Sequence, residues 1–331
     1  MVKINTYIKR GNIIESIHNS KCVISDYNSK IILSTNNDND LVFPRSAIKI
    51  FQAIPFIRSR AHKKFNLTQK QIAISCASHC GELEHIKILE EWIKKLKINK
   101  KILKCGIHNP LNKISSNKLL LSGKKPSELH NNCAGKHLGM ISGCLANGIT
   151  TKNYTEIKHQ YQKNIRESLE FFTETKITKK QYGIDGCSAP QYAFPLKKLS
   201  ISMINLLKQY NEKNYYTYEV KTLLDSVIKY PNLTGSKNIY PSQLMSASNG
   251  KIFSKGGAEG VLLFAHKDKK IGGVIKVKDG NERALPSIAN EIFRKLKILN
   301  KQELKKLSKW TNEKLSNHAN INIGEIYTKI K

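Results

Sequence analysis

The sequence lacks any long apolar run, which excludes a membrane-spanning helix. Crossing a bilayer takes roughly 20 consecutive apolar residues, whereas GVLLFA at 260–265, among the longest apolar runs here, has the length of a strand. The first residues, MVKINTYIKRGNIIESIH, contain no apolar core and no small-residue cleavage site of the kind a secretory signal has. We therefore expect a cytoplasmic protein with no membrane partner.

Arginine is scarce, although the chain is strongly basic. The formal net charge is +31, but only seven of the 56 basic residues are arginine. Arginine is the better reader of phosphates and base edges, and the lysines are scattered, with no basic block interleaved with aromatic residues. We therefore explain the high charge by a compositional bias toward lysine, and we do not expect a specific nucleic-acid partner. The charge still predicts non-specific adhesion to polyanions at low salt.

Paired cysteines are also absent. The seven cysteines are odd in number, and no CxxC pair occurs among them. In a chain expected to be cytosolic, this pattern argues against a disulfide framework. Most of the cysteines should be small buried apolar residues.

Strand patterns lie at both ends of the chain. Residues 11–34 predict two strands around a turn at 27–30, and 260–280 predict a hairpin around 267–270. Near the C-terminus, INIGEIY predicts an edge strand.

The middle of the chain has helical patterns. Amphipathic spacing predicts helices over 83–97, 153–174 and 197–212, and a further helix is predicted from Pro286 to about Leu299. We expect an α/β fold of the α+β type in a single domain, 1–331. Its antiparallel sheet would be built from both termini, about 1–60 and 250–331, around a large helical region of about 61–249.

Ser46 and Lys49 form an SxxK pattern on a predicted helix that opens at Pro44 and is interrupted by Pro55. Helical residues three apart lie on one face with their Cβ atoms about 5–6 Å apart, so the amine can reach the hydroxyl. In its neutral form, such an amine takes the serine proton and makes the hydroxyl a nucleophile. Taken alone, SxxK arises often by chance in a lysine-rich chain.

A second motif lies near the C-terminus. Lys255-Gly256-Gly257 precedes an apolar strand, and an early SxxK with a late KxG is typical of penicillin-recognising enzymes. The S-x-N element of those enzymes has no clear match; Ser78-His79-Cys80 follows a strand-like QIAISCA segment in a comparable place. A β-lactamase or penicillin-binding relative is therefore one alternative, and a noncatalytic basic binding protein is another.

Eight segments, in order and covering about 10–285, resemble the rhizobial-type L-asparaginase family, also called asparaginase II. The two containing CxGKH and DGCxxP are the most specific. The segments are ESIHNSKCVISD (15–26), PRSAIKIFQAIPF (44–56), ASHCGELEH (77–85), CGIHNPL (105–111), HNNCAGKHLGM (130–140), GIDGCSAPQYAFPL (183–196), SKGGAEGV (254–261) and IKVKDGNERA (275–284).

This resemblance implies a serine-β-lactamase-like fold and hydrolysis of L-asparagine to L-aspartate and ammonia. It also implies two Ser-Lys pairs, Ser46 with Lys49 and Ser78 with Lys255. Ser46 would be the nucleophile and Lys49 its base, while the second pair would relay protons or hold the substrate. The family is typically a homodimer.

The resemblance further implies a zinc ion held by Cys133, Lys136 and Cys187. Spacing alone favours two buried cysteines and a solvated lysine, because lysine is a rare zinc ligand that must first lose its proton. Two thiolates and one amine would leave a fourth coordination position open.

Three more residues match family positions that line the substrate pocket: Arg45, His137 and Asp185. An α-amino acid substrate needs a cation for its carboxylate and an anion for its ammonium group. Arg45 and Asp185 are the natural choices for these two roles.

Overall fold

A computed structural model of the chain describes residues 2–36 and 38–331. The chain divides into two compact units. The sheet unit comprises Met1–Ala47, Phe194–Lys208 and Gln243–Lys331, and the helical unit comprises Ile48–Ala193 and Gln209–Ser242. The mixed α/β class, with a sheet drawn from both termini and a helical middle, is confirmed. That the whole chain acts as a single domain stays a prediction.

Strands are concentrated in the sheet unit. In chain order they are β1 (Ile4–Arg10), β2 (Ile13–Ser25), β3 (Ile31–Ser34), β4 (Leu41–Val42), β5 (Tyr182–Ile184), β6 (Pro190–Tyr192), β7 (Phe194–Pro195), β8 (Ile252–Gly257), β9 (Val261–His266), β10 (Ile271–Val277), β11 (Glu313–Ser316) and β12 (Asn322–Ile330).

Eight of these strands form one antiparallel sheet in the order β11-β12-β1-β2-β10-β9-β8, with β3 paired to β2. In β1, the buried residues Ile4, Thr6 and Ile8 alternate with half-buried ones, as expected for a strand with one face on the core. All of β9, VLLFAH, is buried. The sheet therefore places β9 and its neighbour β8 deep in the unit.

The strand predictions are largely confirmed. β2 and β3 flank the turn at 27–30, and β9 and β10 form the hairpin around 267–270. β1 was not predicted. The prediction of INIGEIY as an edge strand is wrong, because β12 pairs with β1 on one side and with the short β11 on the other.

The helices are α1 (Lys49–Gln52), α2 (Ile54–Arg58), α3 (Ala61–Lys64), α4 (Gln69–Ser75), α5 (Leu83–Leu96), α6 (Lys113–Leu121), α7 (Ala134–Ala146), α8 (Gln160–Thr173), α9 (Leu196–Asn211), α10 (Thr217–Lys229), α11 (Tyr240–Ala247), α12 (Leu285–Lys295) and α13 (Lys301–Lys306). A 3-10 turn, Arg45–Ile48, leads directly into α1.

The predicted amphipathic helices are present as α5, α8, α9 and α12. Helix α8 begins later than its pattern, because Asn153 has a left-handed backbone (φ 57°) and His159 caps the helix by accepting the Tyr161 N–H. The helix expected from Pro44 is broken between α1 and α2, just before Pro55, which confirms the predicted interruption.

The strand-like interpretation of QIAISCA is wrong, because most of this segment forms α4. Thr68 and Gln71 make a reciprocal capping box in which the Thr68 side chain accepts the Gln71 N–H and the Gln71 side chain accepts the Thr68 N–H. The residues that follow are buried on all sides, so their apolar run carries no strand alternation.

Most of helix α9 belongs to the sheet unit, and this part of the helix packs against the sheet. Ser200 Oγ lies 2.9 Å from Ser25 Oγ and donates to the Gly272 carbonyl at 3.1 Å. A Cβ at Gly272 would lie 2.7 Å from the Met203 Cβ. Residues 194–208 therefore lie directly against β2 and β10.

Helix α7 approaches α4 at a glycine. A Cβ built on Gly135 would lie 2.1 Å from the Ile74 carbonyl oxygen and 2.7 Å from its carbon. These are backbone atoms and cannot rotate away. The side chains of the first turn of α7 are therefore held at a fixed distance from α4.

The Gly135→Ala variant is expected to lose about 3 kcal/mol of unfolding free energy, because the added methyl overpacks two helices. Urea unfolding measures this loss. Gly186→Ala is the matched control, since nothing lies within 4 Å of its built Cβ, and its change should stay below about 1 kcal/mol. Equal stability of Gly135→Ala and the unmodified chain would contradict the packing described.

Within residues 2–36 and 38–331, none of the helices has the length and apolar character needed to traverse a membrane.

Candidate active site

Lys49 is a fully buried lysine at the start of α1. Its Nζ donates to the Ala77 carbonyl at 2.6 Å and to Ser78 Oγ at 3.0 Å. The structure thus brings together an amine and a hydroxyl that belong to two different predicted pairs. Because 29 residues separate them, no local spacing could have indicated this contact.

The segment carrying Ser78 is held by backbone hydrogen bonds. Ser78 N–H donates to the Thr234 carbonyl at 2.9 Å, and Cys80 N–H donates to the Gly235 carbonyl at 3.1 Å. A Cβ at Gly235 would lie 2.0 Å from Ile239 Cδ1. This loop after α4 is therefore fixed on both sides of the serine.

His79, the neighbour of Ser78, is a buried residue whose Nδ1 accepts the Gly81 N–H at 3.2 Å. Its ring stacks on His85 with centroids 5.2 Å apart. Burial, aided by the nearby charges of His85 and Lys49, lowers the pKa of His79 well below its usual value. His79 is therefore a neutral, buried residue that packs on His85.

Cys133, Lys136 and Cys187 lie together in the helical unit. Cys133 caps α7, Lys136 is in its first turn, and Cys187 follows β5 in the turn to β6. Lys136 Nζ donates to Cys187 Sγ at 3.0 Å, and all three side chains are buried. The three side chains therefore lie close together, both cysteines are buried, and Lys136 is not the solvated lysine that spacing alone favoured.

The three groups share their protons unequally. A hydrogen bond from Cys133 is the main cause that lowers the pKa of Cys187 to about 4, with help from the Lys136 charge. The same bond, together with burial, raises the pKa of Cys133 to about 12. Burial disfavours the charge on Lys136, but the two cysteines outweigh it and raise the Lys136 pKa. Cys187 is therefore the member of the set that ionises most readily, whereas Cys133 and Lys136 hold their protons more tightly.

The donor set fits a zinc ion. The two cysteine sulfurs are ligands that zinc prefers, a lysine nitrogen is a rare one, and one position would remain open. In the described part of the chain, no group of three or more His, Cys, Asp and Glu side chains could hold a metal. The set of Cys133, Lys136 and Cys187 is not such a group, because its third member is a lysine. A metal would have to displace the proton of this lysine.

His137 follows Lys136 on α7 and is fully buried. Its Nδ1 lies 2.7 Å from the Tyr154 hydroxyl. Burial first, and the Lys136 charge second, lower the pKa of His137 to about 3, so the ring is neutral. Sequence reasoning placed His137 in the site but missed Tyr154, which stands outside every segment of the resemblance.

Asp185 lies in the same turn as Cys187 and is half-buried. Its Oδ1 accepts the Gly186 N–H at 2.8 Å, and its Oδ2 accepts from Gln191 Nε2 at 3.4 Å. Its charge acts on both Lys136 and His137. The helical unit thus collects Lys49, Ser78, the Cys-Lys-Cys set, His137 and Asp185.

The sheet unit carries the remaining predicted residues. Lys255 lies in β8, is 4% exposed, and its Nζ donates to the Gly256 carbonyl at 3.0 Å. A Cβ at Gly257 would lie 2.2 Å from the Pro44 carbonyl oxygen and 3.0 Å from Ala47 N. Strand β8 therefore packs backbone to backbone on the turn that contains Ser46.

Arg45 and Ser46 lie in this turn, and both are half-buried. Arg45 has a left-handed backbone with φ 51°. A residue other than glycine rarely adopts this conformation, and such positions cluster at functional sites. The residue before Ser46 therefore holds an uncommon backbone conformation.

Comparison with known proteins identifies the family. The L-asparaginase II family model matches residues 6–328. Among solved structures, the chain is similar to a provisionally named beta-lactamase from Bacteroides dorei, at 11% sequence identity and a TM-score of 0.44, over 83% of this chain and 92% of that one. No curated protein matches the chain.

Because the family model spans nearly the whole sequence, the chain belongs to the L-asparaginase II family. Its activity is accordingly that of an L-asparaginase, a hydrolase whose small-molecule substrate is L-asparagine. This membership confirms the family predicted from the eight segments and excludes the noncatalytic binding protein.

Proposed function

We propose that the chain hydrolyses L-asparagine to L-aspartate and ammonia through Ser46 and Lys49, supported by Ser78 and Lys255. Family membership supports the reaction. The observation that supports a serine–lysine site is the buried Lys49 amine, 3.0 Å from the Ser78 hydroxyl, while Ser46 is assigned as the nucleophile from its place in the SxxK motif. A buried amine in contact with a hydroxyl is the chemical arrangement needed for proton transfer without a histidine.

The acylation step uses Lys49 in its neutral form. Ser46 Oγ attacks the side-chain carboxamide carbon and forms the C–O bond, while its proton passes to Lys49. The tetrahedral intermediate then collapses and breaks the C–N bond. Lys49, through Ser78, returns a proton to the departing nitrogen, which leaves as ammonia, and an ester on Ser46 remains.

The deacylation step repeats the transfers with water. Lys49 accepts a proton from water while the water oxygen bonds to the acyl carbon; the C–O bond to Ser46 then breaks, and Lys49 returns the proton to Ser46 Oγ. L-Aspartate is released, so atoms and charge balance over the cycle. We assign Lys255 to the second pair with Ser78, where its ammonium group stabilises negative charge on the substrate oxygen.

Three residues would orient the substrate. Arg45 would bind the α-carboxylate, because a guanidinium matches a carboxylate with two parallel hydrogen bonds. Asp185 would accept from the α-ammonium group, and His137 would line the pocket as a neutral ring. We also propose that the protein is cytoplasmic and forms a homodimer, as is typical of the family.

We propose that Cys133, Lys136 and Cys187 hold a zinc ion. Bound there, zinc would supply a Lewis-acidic cation near Asp185, whose charge already acts on Lys136, and near His137, on which the Lys136 charge acts. The chain's own residues determine the pH dependence of this binding. Cys187 is ready as a thiolate, whereas Cys133 and Lys136 must each release a proton.

Zinc affinity is therefore expected to rise with pH. Between about pH 5 and 8, log K should increase by about two per pH unit, because two protons are displaced while Cys187, with a pKa of about 4, is already ionised. Competition with a chromophoric chelator measures the slope. Cys133→Ala should lose stoichiometric zinc, and Cys144→Ala, a buried cysteine on the same helix, should keep it. A pH-independent affinity would contradict the assignment.

The function is tested by a coupled ammonia assay on the purified protein, with L-asparagine and L-glutamine side by side. We expect release from asparagine and much less from glutamine, because a tight pocket discriminates against one extra methylene. Nitrocefin serves as a control for β-lactam turnover. Rapid nitrocefin hydrolysis without ammonia release would favour the penicillin-recognising alternative.

A further inference from the structure

Tyr154 is a fully buried tyrosine that takes no part in the steps proposed above. Its hydroxyl oxygen accepts the Lys104 backbone N–H at 2.8 Å and lies 2.7 Å from His137 Nδ1. It therefore connects a loop backbone to a histidine that follows Lys136 on α7.

These two contacts define which nitrogen of His137 carries its proton. Burial raises the pKa of Tyr154, so the phenol keeps its one hydrogen. The Lys104 N–H is a donor and cannot take that hydrogen, whereas His137 Nδ1 can accept it. Tyr154 O–H therefore donates to Nδ1, and a ring nitrogen that accepts a hydrogen bond carries no hydrogen, so the ring hydrogen lies on Nε2.

The resulting Nε2–H is buried and has no hydrogen-bond partner among the residues that the structure describes. Buried polar groups in proteins are almost always paired, so each exception calls for an explanation. The titratable neighbours of this ring include Lys49 and Asp185, the proposed base and the proposed ammonium partner. An unpaired donor in these surroundings is suited to an acceptor atom brought in by a ligand.

We propose that Tyr154 is a positioning residue that holds His137 in its Nε2–H form, and that this N–H donates to a carboxylate oxygen of the bound amino acid. The inference rests on the proposed function and names one further contact in the same site. A carboxylate is the strongest hydrogen-bond acceptor that an amino acid offers, and it is present in both substrate and product.

The tautomer is tested by NMR of the whole protein labelled with ¹⁵N-histidine. Long-range ¹H–¹⁵N spectra distinguish the two neutral forms, and His137→Gln identifies the His137 signals by their loss. We expect the Nε2–H form in the unmodified chain and a mixture in Tyr154→Phe. An unchanged Nε2–H form in Tyr154→Phe would overturn the positioning role.

The ligand contact is tested in the same spectra with L-aspartate, the product, because it is not consumed. Saturating L-aspartate should shift the His137 Nε2–H proton. Two results would overturn this half of the proposal. One is that L-aspartate shifts the signals of other histidines to saturation but leaves the His137 signal unchanged. The other is that L-aspartate does not bind at all. A chain that releases no ammonia from asparagine would instead refute the proposed function and leave the tautomer result standing.

Kinetics separate positioning from simple structural support. Tyr154→Phe should raise KM for L-asparagine about tenfold, with kcat within about twofold, because a binding contact is weakened. Tyr161→Phe is the matched control. Its phenol is equally buried and donates to the Gly139 carbonyl of α7 at 3.5 Å, without touching His137.

A double-mutant cycle completes the test. Glutamine at position 137 offers an amide N–H near the Nε2 position and has no tautomer to hold. Tyr154→Phe should therefore raise KM far less in the His137→Gln background than in the unmodified chain. Equal KM increases in both backgrounds, or an equal increase in Tyr161→Phe, would show that the tyrosine acts only through stability.

Discussion

Replacing Ser46 by alanine is expected to lower kcat for L-asparagine by about 10⁴-fold or more, the scale on which loss of a catalytic nucleophile acts. Ser46 lies in the strained turn that precedes α1, against the Lys255 strand. The alanine variant should fold normally, because Ser46 is only half-buried. Stopped assays for ammonia over hours would quantify the residual rate.

Ser59→Ala is the matched control for this variant. Ser59 is also half-buried and follows helix α2. Its hydroxyl donates to the Phe56 carbonyl at 2.8 Å. We expect it to retain turnover within about twofold. Mass spectrometry of acid-quenched enzyme should detect the aspartyl ester on Ser46 in the unmodified chain and in Ser59→Ala, and no ester in Ser46→Ala. Full activity in Ser46→Ala would refute the nucleophile.

The second large effect is expected at Lys49. Lys49→Met keeps the stem of the side chain and removes the amine, so kcat should fall about a thousandfold, within the usual range for a general base. The kcat of Lys49→Arg should fall by a similar factor, because a guanidinium cannot release its proton to become a base. Steady-state kcat of the two variants, with folding checked by circular dichroism, separates proton transfer from charge alone.

Lys95→Met offers a control of matched chemistry. Lys95 Nζ donates to the Asn66 carbonyl at 2.6 Å and to Gln71 Oε1 at 3.2 Å, the same combination of carbonyl and side-chain acceptor. Its loss should leave kcat unchanged within about twofold. If Lys49→Arg kept most of the activity, the amine would serve as a positive charge, and Lys255 would become the candidate base.

Much of the fold could be predicted because its elements carry local signals. The β9–β10 hairpin has two apolar runs around a polar turn, and α5 has regular amphipathic spacing. QIAISCA was assigned to a strand because residues buried on all sides lose the alternation that separates strand from helix. Only the Thr68–Gln71 capping box marked that helix.

Part of the candidate site could be predicted as well. The approach of Cys133, Lys136 and Cys187 followed from a family resemblance, and the structure shows their contacts. The contact between Lys49 and Ser78 could not be predicted, because it depends on how α1 and the loop after α4 pack. Tyr154 was missed for the same reason, since nothing in its neighbourhood in sequence indicates a partner at His137.

Protein engineers who wish to tune this enzyme have almost no freedom at position 257. Any residue but glycine would place its first carbon 2.2 Å from a carbonyl oxygen of the Pro44–Ala47 turn. Variant libraries aimed at substrate preference should therefore leave this position constant and vary the rim of the pocket. Variants with another residue at position 257 would misfold before any selection for activity could act.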